Sequence, residues 1–239
     1  MFMLSLLIVS PASFACRHLL FGSPGYADFQ QCRLGYAVGY DYALKSAKYV
    51  AYLLDGNSVD AAERDGMAMS EDTSIEKPYR TYPEDYENSG YHMGHLANAE
   101  SIDFNEAAML ETFLLSNIVP QNETNNLGIW KGLENRERAW AKERGILLVM
   151  TGPIYDKDTL YIGRSRVPVP SQLWKIIYDP DQRKAISYLI DNKPLYTRDL
   201  DKYLVSVDDI EKVTGLDFFS AVTLNQQDQI ERESQPHQW

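Results

Sequence analysis

The chain lacks an excess of positive charge. Its 239 residues include 23 Lys and Arg against 34 Asp and Glu, which gives a formal net charge of −11. No overall electrostatic field therefore draws the chain to nucleic acid or to an anionic membrane, because both of these surfaces are negatively charged. Contact with either polyanion requires a local basic patch or a bound cation.

Long apolar runs are also absent beyond the N-terminus. No later segment approaches the roughly 18 apolar residues of a transmembrane helix, so no membrane partner is expected. Residues 1–15, MFMLSLLIVSPASFA, carry no charge and resemble the apolar region of a secretory signal, with Ser13 and Ala15 at the small positions before a cleavage site. A buried N-terminal strand or helix, or a lipid anchor on Cys16, is the alternative. Residues 16–239 suffice for one well-filled core and predict a single domain.

Cysteine is scarce as well, since Cys16 and Cys32 are the only two. In an exported protein such a pair is expected to form a disulfide, and closing a loop of this size would stabilise the fold by roughly 3 kcal/mol. In the cytosol both residues would be free thiols. Together with the apolar N-terminus, the pair predicts a Cys16–Cys32 disulfide in a secreted or periplasmic protein.

Strands and helices are mixed along the chain without a regular alternation. Apolar, aromatic and β-branched residues predict strands over three segments, residues 47–55, 114–121 and 146–155. Shorter helices are expected after an N-cap at Asp103 or Asn105 and after Ser206. This irregular order favours an α+β fold over a doubly wound parallel sheet.

The strongest helix prediction covers residues 125–145. Asn125 or Asn126 can cap its N-terminus, and Gly145 is placed to end it. One face of this helix is marked by residues three or four apart, the spacing of a buried helical face: Trp130, Leu133, Glu137 and Trp140.

Histidine is rare too, and two of the four histidines fall within SGYHMGHLANAES, residues 89–101. The spacing of His92 and His95 would suit a zinc site on a helix, but Gly90 and Gly94 favour a strand or a turn. A closed zinc site needs four protein ligands, and the other two histidines lie near the chain ends. A structural zinc site is therefore disfavoured.

A second group of polar residues follows on the predicted helix. Asn126, Trp130, Glu134 and Arg138 are spaced by four and therefore form one helical stripe. A packed tryptophan beside a surface ion pair between Glu134 and Arg138 would explain the stripe. With His95, however, it also supplies what phosphodiester hydrolysis needs: an imidazole that can take a proton from water, oxygen ligands for a hydrated Mg²⁺, and a guanidinium for phosphate.

Three motifs that contain these residues resemble those of a known family. SGYHMGHLANAES, ETFLLSNIVPQNETNNLGIWKGLENRERAWA and LLVMTGPIY, in that order, resemble the DNA/RNA non-specific endonucleases, the ββα-metal (His-Me finger) nucleases that include endonuclease G. The resemblance extends over most of residues 16–220. It implies a central, mainly antiparallel sheet flanked by helices, with a hairpin that presents the histidine. It also implies a metal-dependent endonuclease that cuts DNA and RNA with little sequence preference. The implied metal is Mg²⁺, for which Mn²⁺ can substitute.

The resemblance also implies residue roles. His95 aligns with the general base, and Asn126 aligns with the asparagine that ligates Mg²⁺. Glu134 aligns with the acid that holds metal-bound waters, and Arg138 aligns with an arginine near the scissile phosphate.

Two more residues match other positions of the family site. Asn117 matches a recurrent asparagine with a structural or substrate-adjacent role. Arg64, within AERDGMAM, matches a second arginine that contacts phosphate.

The chain departs from the family pattern beside the histidine. His92 and Met93 stand where the family has Asp-Arg before Gly-His, and Asn98 replaces a proline. Met93 cannot contact phosphate as an arginine does. Either Arg64, Arg136 or a protonated His92 substitutes, or the chain is a catalytically weakened nucleic-acid-binding protein on the same scaffold. The retained base, metal ligand and acid favour a working enzyme over that alternative and over an unrelated exported hydrolase or interaction protein.

Overall fold

The computed structural model describes residues 16–59, 61–232 and 239. The segment expected to be a secretory signal, residues 1–15, lies outside the described residues. Eleven strands are described: β1 (Phe29–Cys32), β2 (Ala37–Asp41), β3 (Ser46–Asp55), β4 (His92–His95), β5 (Ile118–Gln121), β6 (Ile146–Ile154), β7 (Tyr161–Ile162), β8 (Val167–Pro168), β9 (Gln172–Asp179), β10 (Lys184–Asp191) and β11 (Leu204–Val205). The described α-helices are α1 (Glu106–Glu111), α2 (Glu123–Asn125), α3 (Lys131–Arg144), α4 (Val207–Thr214) and α5 (Leu224–Glu231).

A seven-stranded antiparallel sheet forms the centre of the described chain. Its strand order is β1-β2-β3-β6-β9-β10-β11. Strand β3 illustrates that the sheet is buried on both faces, because its successive side chains point to opposite sides. Tyr52 and Leu54 point into the core on one face, whereas Tyr49 and Ala51 point into the core on the other. The sheet is mainly apolar over its central strands because helices cover both of these faces.

The two faces are covered by different helices. On the first face, α3 packs with Leu133 and Trp140, while on the second face α4 and α5 pack with Ile210 and Ile230. This three-layer arrangement confirms the predicted α+β fold with a central antiparallel sheet flanked by helices. No helix among the described residues combines the length and apolarity needed to cross a membrane.

A small hairpin and the helix that follows it lie beside the sheet. Strands β4 and β5 pair antiparallel, with His95 opposite Ile118, and the chain then enters α2 and α3. Gly94 is required in this hairpin because a Cβ atom at that position would lie 2.1 Å from the Oε1 atom of Gln121. The β4–β5–α3 order is the ββα unit that the sequence resemblance implied.

Two boundaries differ from the sequence predictions. The strand predicted over residues 114–121 is confined to Ile118–Gln121. Leu115–Asn117 instead form a 3₁₀ turn, because the backbone and side chain of Asn117 bond to the segment after β4 rather than to a sheet neighbour.

The start of the long helix is the second difference. Asn122, rather than Asn125 or Asn126, is the N-cap, since its side chain accepts a hydrogen bond from the N–H of Asn125 at 3.1 Å. A π-helical turn, Asn126–Trp130, then joins α2 to α3. Gly128 allows the backbone of this turn to approach the carbonyl oxygen of Leu195, which an added Cβ would meet at 2.6 Å.

Other local predictions are confirmed. Asn105 caps α1, Ser206 caps α4 within a reciprocal capping box with Asp209, and α3 ends at Gly145, whose φ is 97°. Cys16 and Cys32 form the expected disulfide, which ties the beginning of the described chain to β1. These features depend on local sequence, which explains why they could be predicted.

A buried ion pair fixes α3 to the sheet. Lys175 of β9 lies 2.8 Å from the Oε2 atom of Glu137, and both side chains are fully buried. The other carboxylate oxygen of Glu137 accepts hydrogen bonds from the hydroxyls of Tyr52 and Ser101. The ammonium group of Lys175 also lies 4.7 Å from the ring centroid of Trp130, which is a cation–π distance.

Removal of one partner of this pair should destabilise the whole fold. Lys175→Met leaves the Glu137 carboxylate buried without its countercharge, and we expect a loss of about 3–5 kcal/mol in the free energy of unfolding, measured by urea denaturation. Lys202→Met is the matched control, because the exposed pair of Lys202 with Asp199 should contribute less than about 1 kcal/mol. Equal stability of the two variants would contradict the anchoring role of Lys175.

Candidate active site

A polar cleft lies between the β4–β5 hairpin and the start of α3. It has a volume of about 170 Å³. The cleft brings together four of the residues singled out in the sequence, namely His95, Asn126, Glu134 and Arg64. The complete lining consists of Arg64, Met93, His95, Asn98, Glu100, Asn126, Leu127, Lys131 and Glu134.

His95 lies at the end of β4 and is held on two sides. Its backbone carbonyl accepts a hydrogen bond from the indole N–H of Trp130 at 3.3 Å, which links the strand to the helix. The edge of its ring contacts Phe113 at a centroid distance of 5.1 Å. The buried Nε2 atom of His95 has no hydrogen-bond partner among the described residues, so this nitrogen is available for a ligand or a water.

The electrostatic surroundings of His95 keep its ring neutral. Burial lowers the pKa of His95 to about 3, and the nearby positive charge of Arg64 contributes in the same direction. The guanidinium of Arg64 is itself positioned by Phe113, whose ring centroid lies 5.0 Å from the guanidinium carbon. A neutral imidazole with an unpartnered nitrogen can accept a proton.

Asn117 lies beneath the cleft and does not line it. Its side chain donates hydrogen bonds to the carbonyls of Ala97 and Thr112 and accepts one from the N–H of Ala97. Its backbone carbonyl accepts from the N–H of Leu96. Because Asn117 is fully buried, it fixes the loop that follows His95 and does not reach a substrate.

Asn126 and Glu134 reach the cleft from two successive segments of one helical stretch. Asn126 begins the π-helical turn and is half-buried, whereas Glu134 lies in the first turn of α3 and is only 5 % exposed. Trp130, which the sequence placed between them on the same stripe, points into the core instead. The stripe is therefore divided, with its two oxygen-bearing side chains facing the cleft.

Burial makes the carboxylate form of Glu134 costly. It raises the pKa of Glu134 to about 7, although the charge of Lys175 and a hydrogen bond with Asn98 favour the ionised form. A divalent cation in the cleft would also favour the ionised form. The amide oxygen of Asn126 and the carboxylate of Glu134 are hard oxygen donors of the kind that Mg²⁺ accepts.

Arg138 contacts the wall of the cleft from behind. Its guanidinium forms hydrogen bonds with Glu100, Asn98 and Asn135 at 2.7, 2.9 and 2.6 Å. The ion partner of Arg138 is therefore Glu100, not the Glu134 considered in the sequence. Arg138 holds the loop of Asn98 and Glu100 in place, and it is not among the lining residues.

The structure also discriminates among the residues that could replace the missing family arginine. Met93 itself lines the cleft, and of Arg64, Arg136 and His92 only Arg64 joins it there. His92 faces Glu123 at 3.4 Å. The sequence did not single out Lys131, which also lines the cleft, because Lys131 lies outside the four-residue spacing of the stripe.

Several known proteins are similar to this chain over most of its length. The family model for DNA/RNA non-specific endonucleases matches residues 18–225. Mitochondrial nuclease EXOG from Xenopus laevis is 36% identical over 203 residues, covering 78% of this chain and 57% of the relative. A nuclease from Nostoc sp. is 30% identical over 233 residues, covering 90% of this chain and 84% of the relative.

The solved structures add a close similarity of fold. A crystal structure of an EndoG/EndoGI complex contains a chain with a TM-score of 0.81 and 28% identity, covering 87% of this chain and 92% of that one. The chain spans between 55% and 65% of the length of the vertebrate EXOG proteins that it matches.

The raised pKa of Glu134 gives a pH-dependent stability. Between the ordinary pKa of 4.5 and about 7, the unfolded chain releases the proton while the folded chain keeps it. In the presence of EDTA, the stability of the wild type relative to Glu134→Gln should therefore fall by about 3 kcal/mol as the pH rises through this range. Urea denaturation at pH 4.5 and 7.5 measures this difference, and a value independent of pH would contradict the assignment. Adding Mg²⁺ should diminish the fall.

Proposed function

The chain belongs to the DNA/RNA non-specific endonuclease family, and we propose that it is a metal-dependent endonuclease that hydrolyses the phosphodiester bonds of DNA and RNA. The observation that carries this proposal is the cleft in which the unpartnered nitrogen of a neutral His95 meets the oxygen donors of Asn126 and Glu134. The cationic residues of the cleft lining, Arg64 and Lys131, suit phosphate, the part of nucleic acid that carries no base identity. Low sequence preference follows from such contacts.

In this proposal His95 is the general base. Its Nε2 atom takes a proton from the water that attacks phosphorus. Although burial and Arg64 lower the pKa of His95, a bound phosphodiester would bring a negative charge beside the ring and raise that pKa. The hydrogen bond between Trp130 and the His95 carbonyl keeps the ring in position during this transfer.

Asn126 and Glu134 would hold the metal that the family requires. Their oxygen donors fit Mg²⁺, with Mn²⁺ as a substitute, and the cost of burying the Glu134 charge would be relieved by a cation. When bound, Mg²⁺ would neutralise the charge that develops on the phosphate and on the leaving oxygen. Asn126 would ligate the ion directly, whereas Glu134 would orient the water molecules around it.

The remaining residues of the site would position substrate and cleft wall. Arg64 would contact the phosphate in place of the arginine that Met93 replaces, because it is the exposed guanidinium beside His95. Arg138, held by Glu100 and Asn98, would act on the phosphate only after these contacts rearrange. Arg64 and Lys131, the cations of the cleft lining, would let an acidic chain bind a polyanion locally.

The disulfide helps to identify the compartment in which this activity would operate. A Cys16–Cys32 bond fits an oxidising compartment. With the apolar N-terminal residues, it supports a secreted or periplasmic enzyme, while several of the relatives are named as mitochondrial.

Loss of the base or of the metal ligand should abolish most of the cleavage. His95→Ala and Asn126→Ala are each expected to reduce the rate of plasmid nicking in Mg²⁺ by about 10²–10⁴-fold, and EDTA should remove the wild-type activity. Glu143→Gln is the control, because Glu143 lies on the exposed end of α3 outside the cleft, and this variant should nick at the wild-type rate. Wild-type rates in His95→Ala would overturn this mechanism.

Restoring the missing arginine tests the catalytically weakened alternative. Met93→Arg should increase the nicking rate, by as much as about 100-fold if no other cation replaces the family arginine. Met93→Leu, which adds no charge, should leave the rate unchanged. Nucleic-acid binding in gel shifts without any turnover in the wild type, together with activity in Met93→Arg, would favour the binding-protein alternative.

A further inference from the structure

A second group of acidic residues lies on the sheet face opposite α3. Asp208 and Glu211 project from α4, and Glu231 is the last residue of α5. One carboxylate oxygen from each of the three lies within 4.8 Å of the others. Clusters of exposed acids are common on protein surfaces, so this group becomes informative only through the burial of one member.

Glu231 is the unusual member of the group. It is 5 % exposed, and its Oε1 atom has no hydrogen-bond partner among the described residues. A buried carboxylate oxygen without a partner is costly. Its position at the C-terminus of α5 increases this cost, because the helix dipole places partial negative charge there.

The neighbouring carboxylates make it harder still to ionise Glu231. Burial and the neighbouring Glu211 raise the pKa of Glu231 to about 8, and the carboxylates of Asp208 and Asp217 act in the same direction. Lys212 forms an ion pair with Asp209 at 2.9 Å, and Arg232 forms one with Asp228 at 2.9 Å. The basic side chains on these two helices are thus engaged by acids outside the group.

We propose that Asp208, Glu211 and Glu231 form a binding site for a hard divalent cation, Ca²⁺ in preference to Mg²⁺, which joins α4 to α5. Carboxylate oxygens are the ligands that hard cations select. Ca²⁺ accepts several carboxylate ligands in a flexible geometry, whereas Mg²⁺ usually keeps several of its waters and is held by only one or two carboxylates. The half-exposed Asp208 and Glu211 leave room for water to complete the coordination.

The site would stabilise the fold and take no part in cleavage. Both helices pack on the sheet face that carries Ile210 and Ile230, whereas the cleft lies on the side of α3. The inference therefore does not depend on the proposed nuclease activity. Its expected consequence is that bound Ca²⁺ strengthens the attachment of α5 to α4, which Ile210 and Ile230 already provide by packing.

Thermal unfolding of the full chain tests this site. The Asn126→Ala variant, used as the background, removes the proposed ligand in the cleft. In chelator-treated buffer at pH 7.5, Ca²⁺ at about 100 times its Kd should raise the Tm by about 5 °C or more, and Mg²⁺ at the same concentration should raise it less. Isothermal titration should give one Ca²⁺ per chain.

Substitutions in the group should remove the response to Ca²⁺. Glu231→Gln and Asp208→Asn should each abolish the rise in Tm, and Glu231→Gln should raise the Tm in chelator because it removes an acid whose ionisation the folded state disfavours. Asp228→Asn is the matched control, since it neutralises an acid on α5 outside the group and should keep the response. If Glu231→Gln does not fold, Asp208→Asn provides the test, because Asp208 is half-exposed and its substitution should not prevent folding.

Three results would overturn the proposal. One is a Tm that does not change with Ca²⁺ in the Asn126→Ala background, as expected if Glu231 is only protonated. Another is a full Ca²⁺ response in Glu231→Gln or in Asp208→Asn. The third is an equal response to Mg²⁺, which would refute the preference for Ca²⁺.

Discussion

The attachment of α3 to the sheet is the contact on which the rest of the site depends. The Glu137–Lys175 pair joins the helix to β9, and Trp130 connects this pair to the hairpin by donating a hydrogen bond to the carbonyl of His95. The same anchor fixes Asn126 and Glu134, which lie on the turns to either side of Trp130. A charged pair in the core thus sets the distance between a strand and a helix that are far apart in sequence. The hydrogen bonds of Tyr52 and Ser101 satisfy the second oxygen of Glu137, and this full pairing makes a buried charge tolerable.

Burial acts on His95 and Glu134 of the cleft in the same sense. It favours the neutral form of His95 and the neutral form of Glu134. Substrate and cation would each reverse one of these preferences, since a phosphate favours imidazolium and a metal ion favours carboxylate. In the absence of ligands, His95 and Glu134 therefore add little charge to the cationic Arg64 and Lys131 of the cleft lining. Under the proposed function, these two cations would let a strongly acidic chain accommodate a phosphodiester.

Much of the fold was predictable because it is encoded locally. The apolar pattern of β3 and β6, the cap at Ser206 and the end of α3 at Gly145 each depend on a few consecutive residues. The motif resemblance brought His95, Asn126 and Glu134 to one site, and the cleft contains all three. Features that depend on distant partners were not predictable. Three such features arise from contacts between remote segments. Arg138 pairs with Glu100 rather than Glu134, Glu137 pairs with Lys175, and Asn117 is fully buried.

The disulfide has a consequence for one edge of the sheet. The described sheet ends at β1 and β11, which have four and two residues. Unpaired edge strands can recruit strands of other molecules and so begin aggregation, and short edges reduce that hazard. The disulfide between Cys32, at the end of β1, and Cys16 restrains this edge strand. Strand β1 is therefore less able to separate from β2 and pair with a strand of another molecule. The bond thus reduces the tendency of this edge to pair with a second molecule.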